Sequence, residues 1–287
     1  MATSTPDPGR VWFVTGASSG LGRALAQRVL AHGADRLVAT AREPATLRDI
    51  EHAYPGQCRV VTLDVTDAET ARVAVDQAVD AFGRLDVVVN NAGYGAFGAV
   101  EELTEQALRR QFEVNVFGLL HVTRAALPHL RRQRAGHLVQ MSSLNGVVGQ
   151  TGAGAYAGTK FAVEGISESL AEELAPMGIR VTIVEPGPFR TGFAGASAHV
   201  ADPIDDYADS VGRAREFLRQ LDGSQPGDPD RAAEAVIAAV EAKSPPLRLA
   251  LGRDAHAAIR DKLTRQLREL DSWERATADT ALTPRLT

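Results

Sequence analysis

Val11-Trp12-Phe13-Val14-Thr15-Gly16-Ala17-Ser18-Ser19-Gly20-Leu21-Gly22 is the stretch that decides the fold. A short apolar run suited to a buried strand enters a glycine-rich turn, and Leu21–Ala31 beyond it has helical period. The glycines have separate physical tasks at such a turn. Gly16 permits the tight bend, Gly20 lets backbone approach a pyrophosphate, and Gly22 lets the helix pack close to the strand. Free N–H groups at the helix start, together with its dipole, favour an anion there. Gly16, Ser18, Ser19, Gly20, Leu21 and Gly22 are therefore the expected phosphate contacts. The spacing is G-x-x-x-G-x-G rather than G-x-G-x-x-G, and no Lys-Ser/Thr pair for a nucleoside triphosphate follows. A glycine cluster by itself is often only a loop; the strand–turn–helix setting is what favours the phosphate reading.

Outward from this unit the same alternation repeats. Strands are predicted at Val11–Thr15, Leu37–Ala41, Arg59–Leu63, Asp86–Asn90, His137–Ser142, Arg180–Glu185 and Leu247–Leu251. Helices are predicted at Leu21–Ala31, Pro44–Ala53, Ala68–Phe82, Glu105–Gln133, Ala155–Ala175 and Arg231–Glu241. Most strands are near-continuous apolar runs, as parallel strands covered on both faces should be. The pattern predicts an α/β fold: a doubly wound parallel sheet of about seven strands, helices on both faces. Pro188–Asp228 has no strand pattern and holds one amphipathic helix near Val211–Leu221. Its place after a strand's carboxyl end predicts a substrate lid (about 188–228) rather than a plain surface excursion. No linker divides the chain, so one domain is expected over 11–253, after a disordered tail at 1–10. Residues 254–287 are expected to form a charged helix to about Trp273 and then a polar tail.

Composition narrows the function classes. Of 287 residues 44% are hydrophobic, enough for a sizeable core, and the net charge is −5 with arginines scattered among acids. Nothing draws such a chain to nucleic acid or an anionic membrane. No apolar run reaches membrane-span length, and Met1–Arg10 lacks a signal-peptide core. A single cysteine, Cys58, precludes an internal disulfide and a multi-cysteine metal site, so no metal is expected. A soluble cytoplasmic protein is the expectation.

In dinucleotide folds an acid at the end of the second strand holds the adenosine ribose and repels a 2′-phosphate. Here Ala39-Thr40-Ala41-Arg42 occupies that place. The acid is missing, and Arg42 offers a planar fork of donors to a phosphate, which favours NADP(H) over NAD. Asp64-Val65 closes the third strand, where the carboxylate either takes the adenine amino group or caps the next helix. Asn90-Asn91-Ala92-Gly93 closes the fourth, with amides to lock backbone and small residues to leave room for cofactor.

Tyr156 and Lys160 stand four apart on a predicted helix and so share a face. A free phenol titrates near ~10, and a nearby ammonium is expected to lower that value toward working pH. Ser143, ending the fifth strand, can donate to a substrate oxygen, on which charge collects as hydride reaches a carbonyl carbon. Taken alone, a Tyr and a Lys at helical spacing are more often an ordinary helix face.

In company with TGxxxGxG at Thr15–Gly22, NNAG at Asn90–Gly93 and YxxxK at Tyr156–Lys160, the chain resembles the short-chain dehydrogenase/reductase family, in its single-domain Rossmann branch. The motifs run in order over about Val11–Thr191. The resemblance implies that Tyr156 is the acid in reduction and the base in oxidation. It implies that Lys160 lowers the tyrosine pKa and bonds the nicotinamide ribose. The family's serine stands 13 residues before its tyrosine, which selects Ser143 over Ser142. Asn115 corresponds to the asparagine of a water-linked proton relay, and its mid-helix place implies a local break. Pro186-Gly187, Phe189 and Thr191 correspond to the segment passing the nicotinamide amide. The family's long helices, here Glu105–Gln133 and Ala155–Ala175, imply a homodimer or homotetramer.

Tyr94, Phe97, Leu144, Val147, Gln150, Phe189 and Phe193 are expected to line the substrate side, though Phe189 and Phe193 alternatively fill the lid's own core. The lining is mostly apolar and holds no fixed cation, which favours a neutral, lipophilic ketone, aldehyde or alcohol. The expected activity is that of an NADP-dependent carbonyl reductase or alcohol dehydrogenase. The alternative is a non-catalytic NADP(H)-binding redox sensor or scaffold.

Overall fold

A computed structural model describes residues 9–195, 197–278 and 280. The elements alternate as the apolar runs do. The first half runs β1 (Val11–Val14), α1 (Gly20–Ala31), β2 (Arg36–Ala41), α2 (Arg48–Ala53), β3 (Cys58–Thr62), α3 (Ala68–Phe82), β4 (Val87–Asn90), β5 (Gly95–Phe97), α4 (Glu105–Phe112) and α5 (Gly118–Gln133). The second half runs β6 (Gly136–Met141), α6 (Gly154–Leu174), β7 (Ile179–Pro186), β8 (Ala198–Val200), α7 (Arg213–Leu221), α8 (Pro229–Glu241), β9 (Arg248–Leu251) and α9 (Arg253–Thr277).

Seven strands form one parallel sheet in the order β3-β2-β1-β4-β6-β7-β9, a doubly wound Rossmann-like domain with helices on both faces. Alternation along β1 sorts its side chains between the two layers. Trp12 and Val14 join the core beneath α1, α2 and α8, with Leu25, Val29, Ile50, Val236 and Ile237. Phe13 joins the core beneath α3, α5 and α6, paired in register with Val38 and Val88. Strand order reverses between β1 and β4, which opens a crevice at their carboxyl ends. No helix among the described residues is long and apolar enough to cross a membrane.

Three local departures from expectation have physical reasons. Pro44–Ala53 is not one helix: Pro44–Leu47 forms a 3₁₀ turn before α2. Glu105–Gln133 is interrupted by a π-turn at Glu113–Phe117, the kind of local break implied for Asn115. The segment after β7, expected to lack strands, contributes β8, which pairs in parallel with β5 as a separate two-stranded sheet. Three residues per strand are too few for a period to show. The N-terminal tail expected at 1–10 lies outside the described residues except for Gly9 and Arg10, and the polar C-terminal tail is largely outside them.

Candidate active site

The glycine turn sits at the mouth of the crevice. Gly16 and Gly20 adopt left-handed φ values of +63° and +58°, where a side chain would be strained. A Cβ on Gly22 would overlap the Asn91 amide nitrogen and the Gly16 carbonyl oxygen. The first turn of α1 has no side-chain cap at Ser19 and no acid, so its leading N–H groups face the turn unanswered. Asn91 donates from Nδ2 to the carbonyls of Thr15 (2.9 Å) and Gly16 (3.2 Å). Thr15 Oγ1 accepts from the N–H groups of Asn91 and Ala92, both at 2.9 Å. Thr15 thus clamps the β1 turn to the β4 turn, a role its place in the glycine motif did not by itself reveal. Thr191 closes the far side, its methyl 3.6 Å from where a Gly20 Cβ would lie. This cradle fits a pyrophosphate.

Along the rim toward the adenosine side, Arg42 is exposed just past β2 and Glu43 is exposed beside it. Asp64 is not the cap of α3. Its Oδ1 accepts from Thr66 N (3.0 Å) and Thr66 Oγ1 (2.8 Å), and Asp67 caps the helix through Glu69 N and Thr70 N. The Asp64 carboxyl is held below its ordinary value: burial works the other way, but the Thr66 bonds and the nearby Arg110 and Arg42 prevail. Val65 is buried against Gly118.

Deeper in the crevice, Ser143 at the end of β6 lies beside Tyr156 on α6, near enough to pull the phenol's pKa down, while the serine Oγ accepts from Asn145 N at 3.1 Å. The Lys160 ammonium lies 5.7 Å from the Tyr156 ring centroid and donates to the Met141 carbonyl at 2.7 Å. Asn115, turned inward by the π-turn, accepts from Tyr94 N (3.1 Å) and donates to Tyr94 O (2.9 Å) and Thr159 Oγ1 (3.1 Å). Thr159 in turn donates to Tyr156 O, so a helix position absent from the motif links the asparagine to the tyrosine's own turn. Two aromatic rings cover the phenol: Phe193 at 5.3 Å and Phe97 at 5.8 Å between centroids. The four expected catalytic side chains are therefore all buried at one end of the sheet.

Desolvation governs their charge. Burial pushes the Tyr156 phenol up to about 12, against the pull of the Ser143 hydroxyl. This reverses the depression expected from Lys160, whose own ammonium is brought down to about 8 by burial despite Glu164 nearby.

Residues 10–200 match the model of the short chain dehydrogenase family. The chain belongs to that family. Two curated relatives are oxidoreductase BOA17 of Botryotinia fuckeliana, 43% identical over 86% of this chain and 90% of the relative, and the 3-ketodihydrosphingosine reductase of Bacteroides thetaiotaomicron, 36% identical over 85% and 88%. A solved short-chain dehydrogenase from Streptomyces avermitilis is 44% identical and superimposes with a TM-score of 0.90, over 96% of this chain and all of that one. Two further solved structures carry nucleotides: one from Burkholderia phymatum in complex with NAD (26% identical, TM-score 0.78, over 98% and 100%), and a Thermococcus sibiricus alcohol dehydrogenase complexed with 5-hydroxy-NADP (29%, 0.69, over 84% and 95%). This chain is an oxidoreductase of that family, whose members bind NAD or NADP.

The other expected site residues of this short-chain dehydrogenase divide. Pro186 ends β7 and Gly187 donates to Leu251 O at 2.9 Å, with no room for a Cβ beside Asp254. Phe193 faces the phenol, whereas Phe189 packs against the core under α1 and against Gly227, which settles the two aromatics differently. Leu144 is buried beside Ser143, but Gln150 is exposed and accepts from Asn145. Tyr94 is half-buried against the small cluster of Ala96, Leu103, Ala155 and Ala201, and it is its backbone that serves Asn115. Asn90 is spent below the sheet on Thr123 (2.9 Å) and Gln140 (2.8 Å), which leaves Asn91, Ala92 and Gly93 to face the cofactor side. Behind Lys160 lies a group that motif reading missed: Arg248 on β9 pairs with Glu164, Glu168 and Glu185. These residues are far apart in sequence, and no spacing announces them.

Proposed function

We propose that this enzyme is an NADP(H)-dependent oxidoreductase that interconverts a ketone or aldehyde with its alcohol, working chiefly as a carbonyl reductase on neutral, lipophilic substrates. The observation that carries the reading is the buried Ser143–Tyr156 hydroxyl pair, roofed by Phe97 and Phe193, at the crevice that the glycine turn opens. The uncapped start of α1 suits the pyrophosphate, and Arg42, with no acid at the end of β2, suits a 2′-phosphate. Bound NADPH supplies the hydride for the carbonyl carbon. Tyr156 Oη gives its proton to the carbonyl oxygen while Ser143 donates a hydrogen bond to the same oxygen. A phenol held near 12 is fully protonated at neutral pH, the form reduction requires. Lys160 keeps positive charge beside the phenolate formed, and Asn115 holds the backbone of Tyr94 and the Thr159 hydroxyl in line with a path for proton resupply. The aromatic roof excludes water and favours apolar substrate carbon. A sphingoid ketone, the kind of substrate named for the Bacteroides relative, belongs in the first panel tested. Self-association through α5 and α6 is part of the reading, supported by exposed Phe117 and Phe161.

The test is NADPH oxidation with a ketone panel, alongside Tyr156→Phe. Wild type is expected to turn over a lipophilic ketone, and the variant to lose about 10² or more in kcat while still binding NADPH. Wild type that binds NADPH and reduces nothing would instead identify a redox sensor. Arg42→Ala is expected to weaken NADPH about tenfold or more and to leave NADH nearly unchanged.

A further inference from the structure

The final helix is long and largely unsupported. It packs through Ala255, fully buried, and through half-buried Ala258 and Ile259. From Leu263 to Thr277 every residue is exposed, a length of about 22 Å at ~1.5 Å per residue. Helical segments of this size are marginal in water unless an amphipathic face is packed. α9 has such a face. At ~100° per residue, Ile259, Leu263, Leu267, Leu270 and Trp273 fall within a sector of about 120°. Leu263, Leu267, Leu270 and Trp273 are 54%, 60%, 67% and 62% exposed. Scattered exposed leucines are ordinary, but a continuous stripe on a projecting helix marks a surface that something covers.

The charges indicate what covers it. Arg260, Lys262, Arg265 and Arg268 crowd the first part of the projecting helix, and Glu269, Asp271 and Glu274 follow. None of them forms an ion pair with the rest of the chain among the described residues. Over its whole length α9 carries six cations and five acids, too even a balance for attraction to an anionic bilayer. A helix basic first and acidic last is complementary to itself when run antiparallel. With a two-fold axis between Gln266 and Leu267, Leu263 lies opposite Leu270 of a second copy, Lys262 shares a flank with Glu269, and Arg260 shares the other with Asp271. Arg260 comes level with Trp273 and Glu274, where ion pairing and cation–π contact are both within reach.

We infer that α9 is an antiparallel dimerisation helix, its leucine stripe covered by the same stripe of a second copy of this chain. The surface is separate from α5 and α6 and does not depend on what the enzyme reduces. Sedimentation of the full chain over a concentration series, wild type against Leu267→Asp/Leu270→Asp, tests it. The variant is expected to show half the wild-type mass wherever wild type is assembled, with near-ultraviolet circular dichroism unchanged. Arg260→Glu and Glu274→Arg should each weaken association about tenfold, and the two together in one chain should restore it. Leu267→Cys should give a disulfide-linked dimer under mild oxidation, while Arg265→Cys on the opposite face should not; the native Cys58 is buried. Equal masses for wild type and the leucine variant overturn the inference, as does equally fast cross-linking from position 265. Flotation of wild type with phosphatidylserine-containing vesicles, lost in the leucine variant, also overturns it and assigns the stripe to a lipid surface.

Discussion

Among single residues, desolvation decides more than charge proximity. Tyr156 stands at about 12 and Lys160 at about 8, so near pH 8 the lysine is the group that titrates. Ketone reduction should therefore hold level at lower pH and decline as pH rises through about 8, where Lys160 loses its proton and no longer supports the phenolate. A profile flat to pH 10 would show that the lysine charge is not used. The same shift has a stability consequence. The folded pKa lies below the ordinary 10.5, so the unfolded chain binds more protons between the two values and stability rises with pH across that window. At pH 7 the buried ammonium costs about 3 kcal/mol, taking ~1.36 kcal/mol per pKa unit. Lys160→Met removes that cost but leaves the Met141 carbonyl without its donor, about 1–3 kcal/mol in the other direction. The variant should thus be inactive yet more stable by about 1 kcal/mol at pH 7, and the gain should vanish near pH ~9 and turn into a deficit toward pH 10.5, as read by urea denaturation across pH.

Among elements, the β1–turn–α1 unit is the most tightly specified. Gly22→Ala would force a methyl into the Asn91 amide and the Gly16 carbonyl, both held in the Thr15 clamp. Overpacking of this kind costs about 1–3 kcal/mol. Because the turn itself must move, NADPH affinity should fall as well, which calorimetric titration would show; a variant destabilised with intact affinity would mean the helix yields instead of the turn. This unit was readable from its glycines, and the seven sheet strands were readable because parallel strands buried on both faces write themselves as continuous apolar runs. β5 and β8 were not, since Gly95–Phe97 and Ala198–Val200 are three residues each and gain meaning only by pairing across a hundred positions. The π-turn announced itself solely as an asparagine in the middle of a helical pattern. Ser143, Tyr156 and Lys160 were legible as a motif, but the direction of the phenol's shift was not, because it depends on Phe97 and Phe193 closing over the ring from distant segments.

For the molecule as a whole, the sheet's last strand is tied by charge to α6, the helix that carries Tyr156 and Lys160. Arg248 on β9 bonds Glu185 on the neighbouring β7 at 2.7 Å, reaches Glu168 at 2.7 Å, and pairs with Glu164, one turn beyond Lys160 on α6. Glu164 and Glu185 are buried, and burial raises the Glu164 carboxyl above its ordinary range even with the guanidinium present. Removing one partner of such a cluster leaves charge uncompensated, a loss of 3–5 kcal/mol for fully buried pairs and about 2–4 kcal/mol here, where the Arg248 side chain is 37% exposed. Arg248→Met should therefore destabilise the whole domain by about that amount at neutral pH. Without the cation, burial raises the Glu164 carboxyl further, so the folded variant binds more protons than the unfolded chain and its stability falls more steeply as pH increases. Wild type, in which the guanidinium opposes that shift, should show a shallower slope of the same sign. Parallel slopes in the two proteins would mean that the Arg248 guanidinium does not hold the Glu164 carboxyl down.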